Sequence, residues 1–230
     1  MPVPDNPWLT VTGGTAGPGY AARFADLAAQ GEDLDGEARR VHALLGGRPS
    51  DVLDAGCGTG RVAIALARLG HRVVGADLDA SMLDQARAAA PELDWRLVDL
   101  TELRLDHPVD AVVAAGNLWP LLTPGTHAAV IEVLARHLRP GGLLVAGFGL
   151  DAEHVPFTLP DGVPFPTLAA YDDGCAAAGL RPVTRTADWE GEEPYEGGGY
   201  AVSVHEKPTR SELDLLRSRE DTSAPEPSTP

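Results

Sequence analysis

Lysine is almost missing. Of the 18 basic residues in this 230-residue chain, only Lys207 is a lysine. A G-x-x-x-x-G-K-[ST] phosphate loop is therefore excluded, and the body of the chain has no lysine to form a Schiff base. Cysteine is nearly as scarce. Cys57 and Cys175 make neither a C-x-x-C pair nor a disulfide framework, which suits a reducing, cytoplasmic setting. No G-x-S-x-G elbow or H-E-x-x-H helix occurs, and the His and Asp residues show no metal-ligand spacing. No apolar run is long enough to span a bilayer, and the start lacks the basic-then-apolar pattern of a secretion signal. Positive charge is short as well, 18 residues against 34 acidic ones, for a net charge of -16. That balance argues against an electrostatic grip on nucleic acid or on an anionic membrane.

What the chain does hold is enough for a core: 43% of its residues are apolar and 23% charged. The expected organisation is a flexible arm at residues 1–19, one domain at 20–206 and a disordered tail at 207–230. Ala- and Leu-rich stretches at 20–30 and 37–45 read as helices. From residue 51 to 150, apolar runs at 51–55, 72–76, 94–98, 109–115 and 143–148 read as strands. Helical segments at 60–69, 80–89 and 124–138 separate them. Local chemistry supports these limits: Gly70 suits a helix stop, Asp79 an N-cap, and Thr123-Pro124 a helix start. Continuous apolar strands alternating with helices mean an α/β fold, a doubly wound and mostly parallel sheet covered on both faces. Residues 151–166 are too rich in proline for either element. A helix at 167–178 and β-like runs at 181–189 and 200–206 follow, the last two read as an antiparallel hairpin at the sheet edge.

The most informative stretch is Asp54-Ala55-Gly56-Cys57-Gly58-Thr59-Gly60-Arg61, where an apolar strand meets three alternating glycines and a helix begins at once. Glycines in such a turn let a ligand touch main chain where any Cβ would collide. A dinucleotide fingerprint wants a small residue where Arg61 stands, and Asp54 is a poor neighbour for a pyrophosphate but a good one for an ammonium group. The next strand ends at Asp77, placed about twenty residues on to accept ribose hydroxyls. The third ends at Asp99-Leu100, which can receive an exocyclic amine and a ring nitrogen of adenine. Cys57 has no partner base nearby in sequence, so it reads as a packing residue rather than a nucleophile.

These segments, with residues 109–118 and 138–148, resemble the ordered motifs of the class I S-adenosylmethionine-dependent methyltransferases, over most of residues 40–150. The resemblance implies a Rossmann-like, seven-stranded sheet whose last strand is antiparallel. It implies S-adenosyl-L-methionine as cofactor, with Asp54, Ala55, Gly56, Cys57 and Gly58 around its methionine part and Asp77 on its ribose. Leu78 and Met82 would pack near the adenine, Asp99 and Leu100 would lie at its edge, and main chain at Ala115 would meet the amino group. Tyr20 resembles the aromatic that closes over the cofactor in many relatives.

The acceptor must enter from the carboxyl ends of the strands. Asn117, Trp119, Phe157 and Tyr195 are the expected pocket residues for a small-molecule substrate, and His154 is the one candidate base. Neither a nucleic acid nor a membrane is expected as partner. Two other readings stay open at this level: a cofactor-binding protein without transferase activity, and a nicotinamide-dependent oxidoreductase.

Overall fold

The structure is a computed structural model that describes residues 6–209, 211 and 212. Among them the chain forms helices α1 (Pro7–Thr12), α2 (Gly17–Ala29) and α3 (Gly36–Leu44), then alternates. The alternating part runs β1 (Asp51–Ala55), α4 (Arg61–Arg68), β2 (Arg72–Asp77), α5 (Ala80–Ala89), β3 (Asp94–Leu97) and β4 (Val109–Ala114). A four-residue helix α6 (Leu118–Leu121) precedes α7 (His127–His137) and the long strand β5 (Leu138–Gly149). After one 3-10 turn at Ala152–His154 come α8 (Leu168–Ala177), β6 (Arg181–Thr186) and β7 (Tyr200–Glu206). The seven strands lie in the order β3-β2-β1-β4-β5-β7-β6. β1 pairs in parallel with β2 and with β4, so the chain reverses its direction of winding between β1 and β4. In a parallel α/β sheet the loops leaving such a reversal point diverge and leave a crevice.

Successive strand side chains point to opposite faces, and the two faces carry separate cores. Val52, Val113, Val145, Val202 and Val204 pack with Val41 of α3 and Leu66 of α4. Leu53, Val112, Leu144, Ala146 and Phe148 pack with Ile131 and Leu134 of α7 and Tyr171 of α8. This double burial is why the strands read as unbroken apolar runs.

The structure departs from the sequence reading in several places. Residues 1–19, expected as a flexible arm, contain α1 and the start of α2. Asn6 caps α1 by accepting from the Leu9 N–H, Pro7 fills its first turn, and Gly13 ends it at φ 62°. The helix expected from residue 124 begins at His127, because Gly125 turns at φ 86° and the Thr126 N–H donates to the Thr123 carbonyl at 3.0 Å. The terminal antiparallel hairpin does join the sheet edge beside β5, as expected, with its second strand innermost. β7 is inserted between β5 and β6, where its apolar residues are covered, and β6 takes the edge with Pro182 and an exposed Val183. No crossover helix joins β3 to β4, which agrees with the short link. Among the described residues no helix is long and apolar enough to cross a membrane.

Only five residues of the expected tail are described, and two of them are docked. The Lys207 ammonium donates to the Ala135 and Leu138 carbonyls at 2.9 and 2.8 Å, closing the end of α7. Glu212 pairs with Arg181 of β6 and accepts from the Thr209 N–H at 2.9 Å. A helical turn that the sequence also suggests at residues 213–217 of the tail lies outside the described residues. Lys207→Met should keep the stem packing and lose both charged hydrogen bonds. A loss of about 1–3 kcal/mol in urea unfolding is expected; an unchanged midpoint would show that the ammonium contributes nothing.

Candidate functional site

The turn after β1 is shaped by main-chain geometry. Gly56, Gly58 and Gly60 take φ values of 71°, 54° and 81°, a region that costs an L side chain energy. The Gly56 and Cys57 N–H groups both donate to the Ala76 carbonyl of β2, at 2.8 and 3.0 Å. The Gly58 N–H donates to Asp77 Oδ2 at 2.8 Å, and the Asp79 N–H donates to Asp77 Oδ1 at 2.8 Å. One carboxylate thus holds the glycine turn and the approach to α5 together. The three glycines differ in what they spare. A Cβ on Gly60 would stand 2.5 Å from the Trp95 ring, so that glycine serves packing beneath α4. A Cβ on Gly58 would meet only the Met82 methyl, and one on Gly116, after β4, would meet nothing within 4 Å.

A cavity opens above this turn, enclosing about 1080 Å³ when the open space at its mouth is included. Asp54, Gly56, Cys57, Gly58, Asp77, Leu78, Met82, Asp99, Leu100, Ala115 and Tyr20 all line it. Phe157 lines it as well. Asp99 stands exposed on the rim, its Oδ1 accepting from the Thr101 N–H and hydroxyl at 2.8 and 2.7 Å, which leaves the second oxygen free of these bonds.

Other expected site residues fall elsewhere. Ala55 is wholly buried in the core and does not line the cavity. Trp119 is 2% exposed, its ring packed on Tyr171 at 5.3 Å and Phe148 at 6.1 Å between centroids, because α6 presses that face onto the sheet. Asn117 works as a brace. At φ 63° it aims Oδ1 at the Gly149 N–H, 2.6 Å away, and so ties the end of β4 to the end of β5. Tyr195 spends its hydroxyl on the Gly198 carbonyl within its own turn. His154 pairs with Asp151 at 2.6 Å, 42% of its side chain exposed, and is absent from the cavity wall.

Sequence reasoning missed much of the far wall. Leu118 lies over the glycine turn, since a Cβ on Gly56 would meet its methyl at 2.5 Å. Leu121, Leu122, Thr123, Thr126, Val130 and Pro156 complete that side. Asn6 and Trp8 close the cavity from the first helix. Trp8 Nε1 donates to Asp79 Oδ2 at 2.8 Å, and Asn6 Nδ2 donates to the Leu121 carbonyl at 3.1 Å. The Gly116-Asn117 pair before an apolar quartet was the available signal for α6. Arg61, the residue that departs from a dinucleotide fingerprint, turns toward α3: it grips Glu37 at 2.7 Å and lies over Phe24.

The family model for a methyltransferase domain matches residues 52–142. Trans-aconitate 2-methyltransferase from Azoarcus sp. is 39% identical over 152 residues, covering 64% of this chain and 59% of that protein. A ubiquinone biosynthesis O-methyltransferase from Xanthomonas campestris is 32% identical over 168 residues, covering 61% of this chain and 69% of that one. The crystal structure of a TehB-like S-adenosylmethionine-dependent methyltransferase from Corynebacterium glutamicum superposes with a TM-score of 0.71 at 30% identity. That match covers 83% of this chain and 97% of the other. The chain belongs to the class I S-adenosylmethionine-dependent methyltransferases. Several of the curated relatives, the Azoarcus protein among them, are matched over less than two thirds of their own length.

The residues present fit the cofactor of that family. Gly58 and Gly116 leave main chain open to a ligand, and the ionisable groups on the strand ends are acids, suited to an amino acid and a sulfonium rather than to phosphates. The acid among them that burial affects most is Asp54. Enclosure pushes its carboxyl up to about 7, against the pull of the Ala63 N–H, which it accepts at 3.0 Å to cap α4. Burial likewise pushes the Cys57 thiol well above its ordinary range, which disfavours a thiolate nucleophile.

An acid whose pKa is higher folded than unfolded binds more protons in the folded state. Asp54 therefore removes stability from the ligand-free methyltransferase as pH rises from about 4 to 7. Asp54→Asn abolishes this penalty, so its unfolding free energy relative to wild type should rise by about 4 kcal/mol from pH 4 to pH 8. Urea titrations at both pH values check it, and a constant difference would refute the burial argument. Trp119→Ala should cost about 3–5 kcal/mol of stability, as a core truncation does; a stable variant with altered ligand binding would return Trp119 to the pocket.

Proposed function

We propose that the protein is an active methyltransferase that transfers the methyl group of S-adenosylmethionine to a small-molecule acceptor in the cytoplasm, with neither nucleic acid nor membrane as partner. The observation that carries this reading is one continuous cavity, walled on one side by the glycine turn with three strand-end acids and on the other by α6, α7 and residues 156–157. Two reactants can share it. Asp77 has a lone pair left on each oxygen after bonding Gly58 and Asp79, and these face the ribose hydroxyls. Asp99 offers its second oxygen to the adenine amine beside Leu100, with Leu78 and Met82 on the ring. Asp54 and the main chain of Gly56, Cys57, Gly58 and Ala115 surround the amino-acid end. Tyr20, in edge contact with Trp8 at 6.3 Å, closes the mouth.

S-adenosylmethionine bound there supplies a methyl group on a positively charged sulfur, activated so that an acceptor atom bonds the carbon while the old bond's electron pair stays on sulfur. The chain has then to align the acceptor and exclude water, which alone is worth several orders of magnitude. The names of the relatives point to acceptors as different as a tricarboxylate and an intermediate of ubiquinone biosynthesis, so kinship leaves the acceptor class open.

Titration calorimetry with S-adenosylhomocysteine and with NAD tests the cofactor assignment, and transfer of a labelled methyl to a metabolite extract tests turnover. Binding of NAD alone would replace the reading by a nicotinamide enzyme; cofactor binding with no transfer would leave a binding protein. Asp77→Ala is expected to weaken S-adenosylhomocysteine by about 1.5–3 kcal/mol, and equal affinity would remove Asp77 from the site.

A further inference from the structure

The far half of the cavity has a chemistry of its own. Leu118, Leu121, Leu122, Val130, Pro156 and Phe157 supply an apolar wall. The polar groups among them are neutral, and each already bonds within the protein. The Thr126 hydroxyl donates to the Thr123 carbonyl at 2.7 Å. The Asn6 amide donates to the Leu121 carbonyl and to Thr123 Oγ1, while its oxygen accepts from the Leu9 N–H. His127, next along the chain, ties its Nε2 to the Trp119 carbonyl at 3.1 Å. Among the described residues, every charged side chain on the cavity wall belongs to the other half: Asp54, Asp77, Asp99, and Arg61, whose guanidinium is held by Glu37 on the opposite face of the sheet.

A carboxylate brought into this half would be desolvated with no cationic side chain to receive it. We infer that the acceptor is an uncharged molecule with a largely apolar ring body, seated between α6, the start of α7 and residues 156–157, and that polycarboxylates are shut out. This rests on the cavity being the methyl-transfer site proposed above. With no free ionisable side chain on this wall, the acceptor atom is one that needs no side-chain base, and any proton it loses passes to water.

The test is calorimetry on the protein loaded with S-adenosylhomocysteine, using 2-naphthol as an uncharged two-ring probe and trans-aconitate as the anionic one. Failure of S-adenosylhomocysteine itself to bind overturns the methyltransferase reading and this inference together. When it binds, 2-naphthol is expected to bind and trans-aconitate to give no heat. Binding of trans-aconitate as tight as that of 2-naphthol, or no binding of 2-naphthol, overturns this inference alone. Thr126→Asp sets a carboxylate on the wall at the start of α7, and retained S-adenosylhomocysteine binding reports that the fold holds. It is expected to weaken 2-naphthol about tenfold with S-adenosylhomocysteine affinity unchanged; undiminished 2-naphthol binding would place that probe elsewhere and overturn the inference.

Discussion

The pocket depends on a single carboxylate. Asp77, at the end of β2, takes an N–H from the glycine turn and another from the entry to α5. Without that grip the turn would rest on its two bonds to the Ala76 carbonyl and on the bond from the Gly60 N–H to the Cys57 carbonyl, and Gly58 would lose its tie to β2. The cost of fixing glycine, the residue with the most backbone freedom to lose, is offset by charge-assisted bonds in a partly dry site. Because the carboxylate is already held by main-chain N–H groups, its position is fixed before any ligand arrives. Preorganisation of this kind lowers the reorganisation a ligand must drive.

Around this centre the two halves of the cavity are built on different cores. The side that carries the strand-end acids hangs from β1, β2 and β3. The far side belongs to α6 and α7, packed through Leu122, Val130 and Trp119 on the opposite face from α4. A short N-terminal helix joins them. Trp8 bonds Asp79 beside the first half, and Asn6 bonds Leu121 in the second. The mouth of the cavity is thus tied to both of its halves by side-chain hydrogen bonds, in a segment rich in proline and glycine that by composition reads as an irregular arm.

Legibility from sequence followed the range of the interactions. β1, α5 and β7 match their expected limits, because each is framed by local chemistry: a glycine turn, an aspartate cap that bonds the Ser81 N–H at 2.8 Å, and an apolar run of fixed period. Helices α1 and α6 were not legible, being of six and four residues with proline inside or at their start, too short for any periodic signal. The acids at three successive strand ends were legible as a set, since the strand boundaries place them at one sheet edge. The aromatics were not. Trp119 and Phe157 both sit near proline in irregular sequence, yet one became core and the other cavity wall.

The amino-acid order by itself determined the α/β alternation, the left-handed turn after β1 and the acids that follow it, because backbone sterics and side-chain period act within a few residues. Tertiary structure decided which residues complete the far wall, that β7 slots between β5 and β6, and that Asn117 braces two strands. Those outcomes rest on contacts such as Asn6 with Leu121, 115 positions apart, or Asn117 with Gly149. Only the packed sheet brings such groups within hydrogen-bonding distance, so no local pattern could announce them.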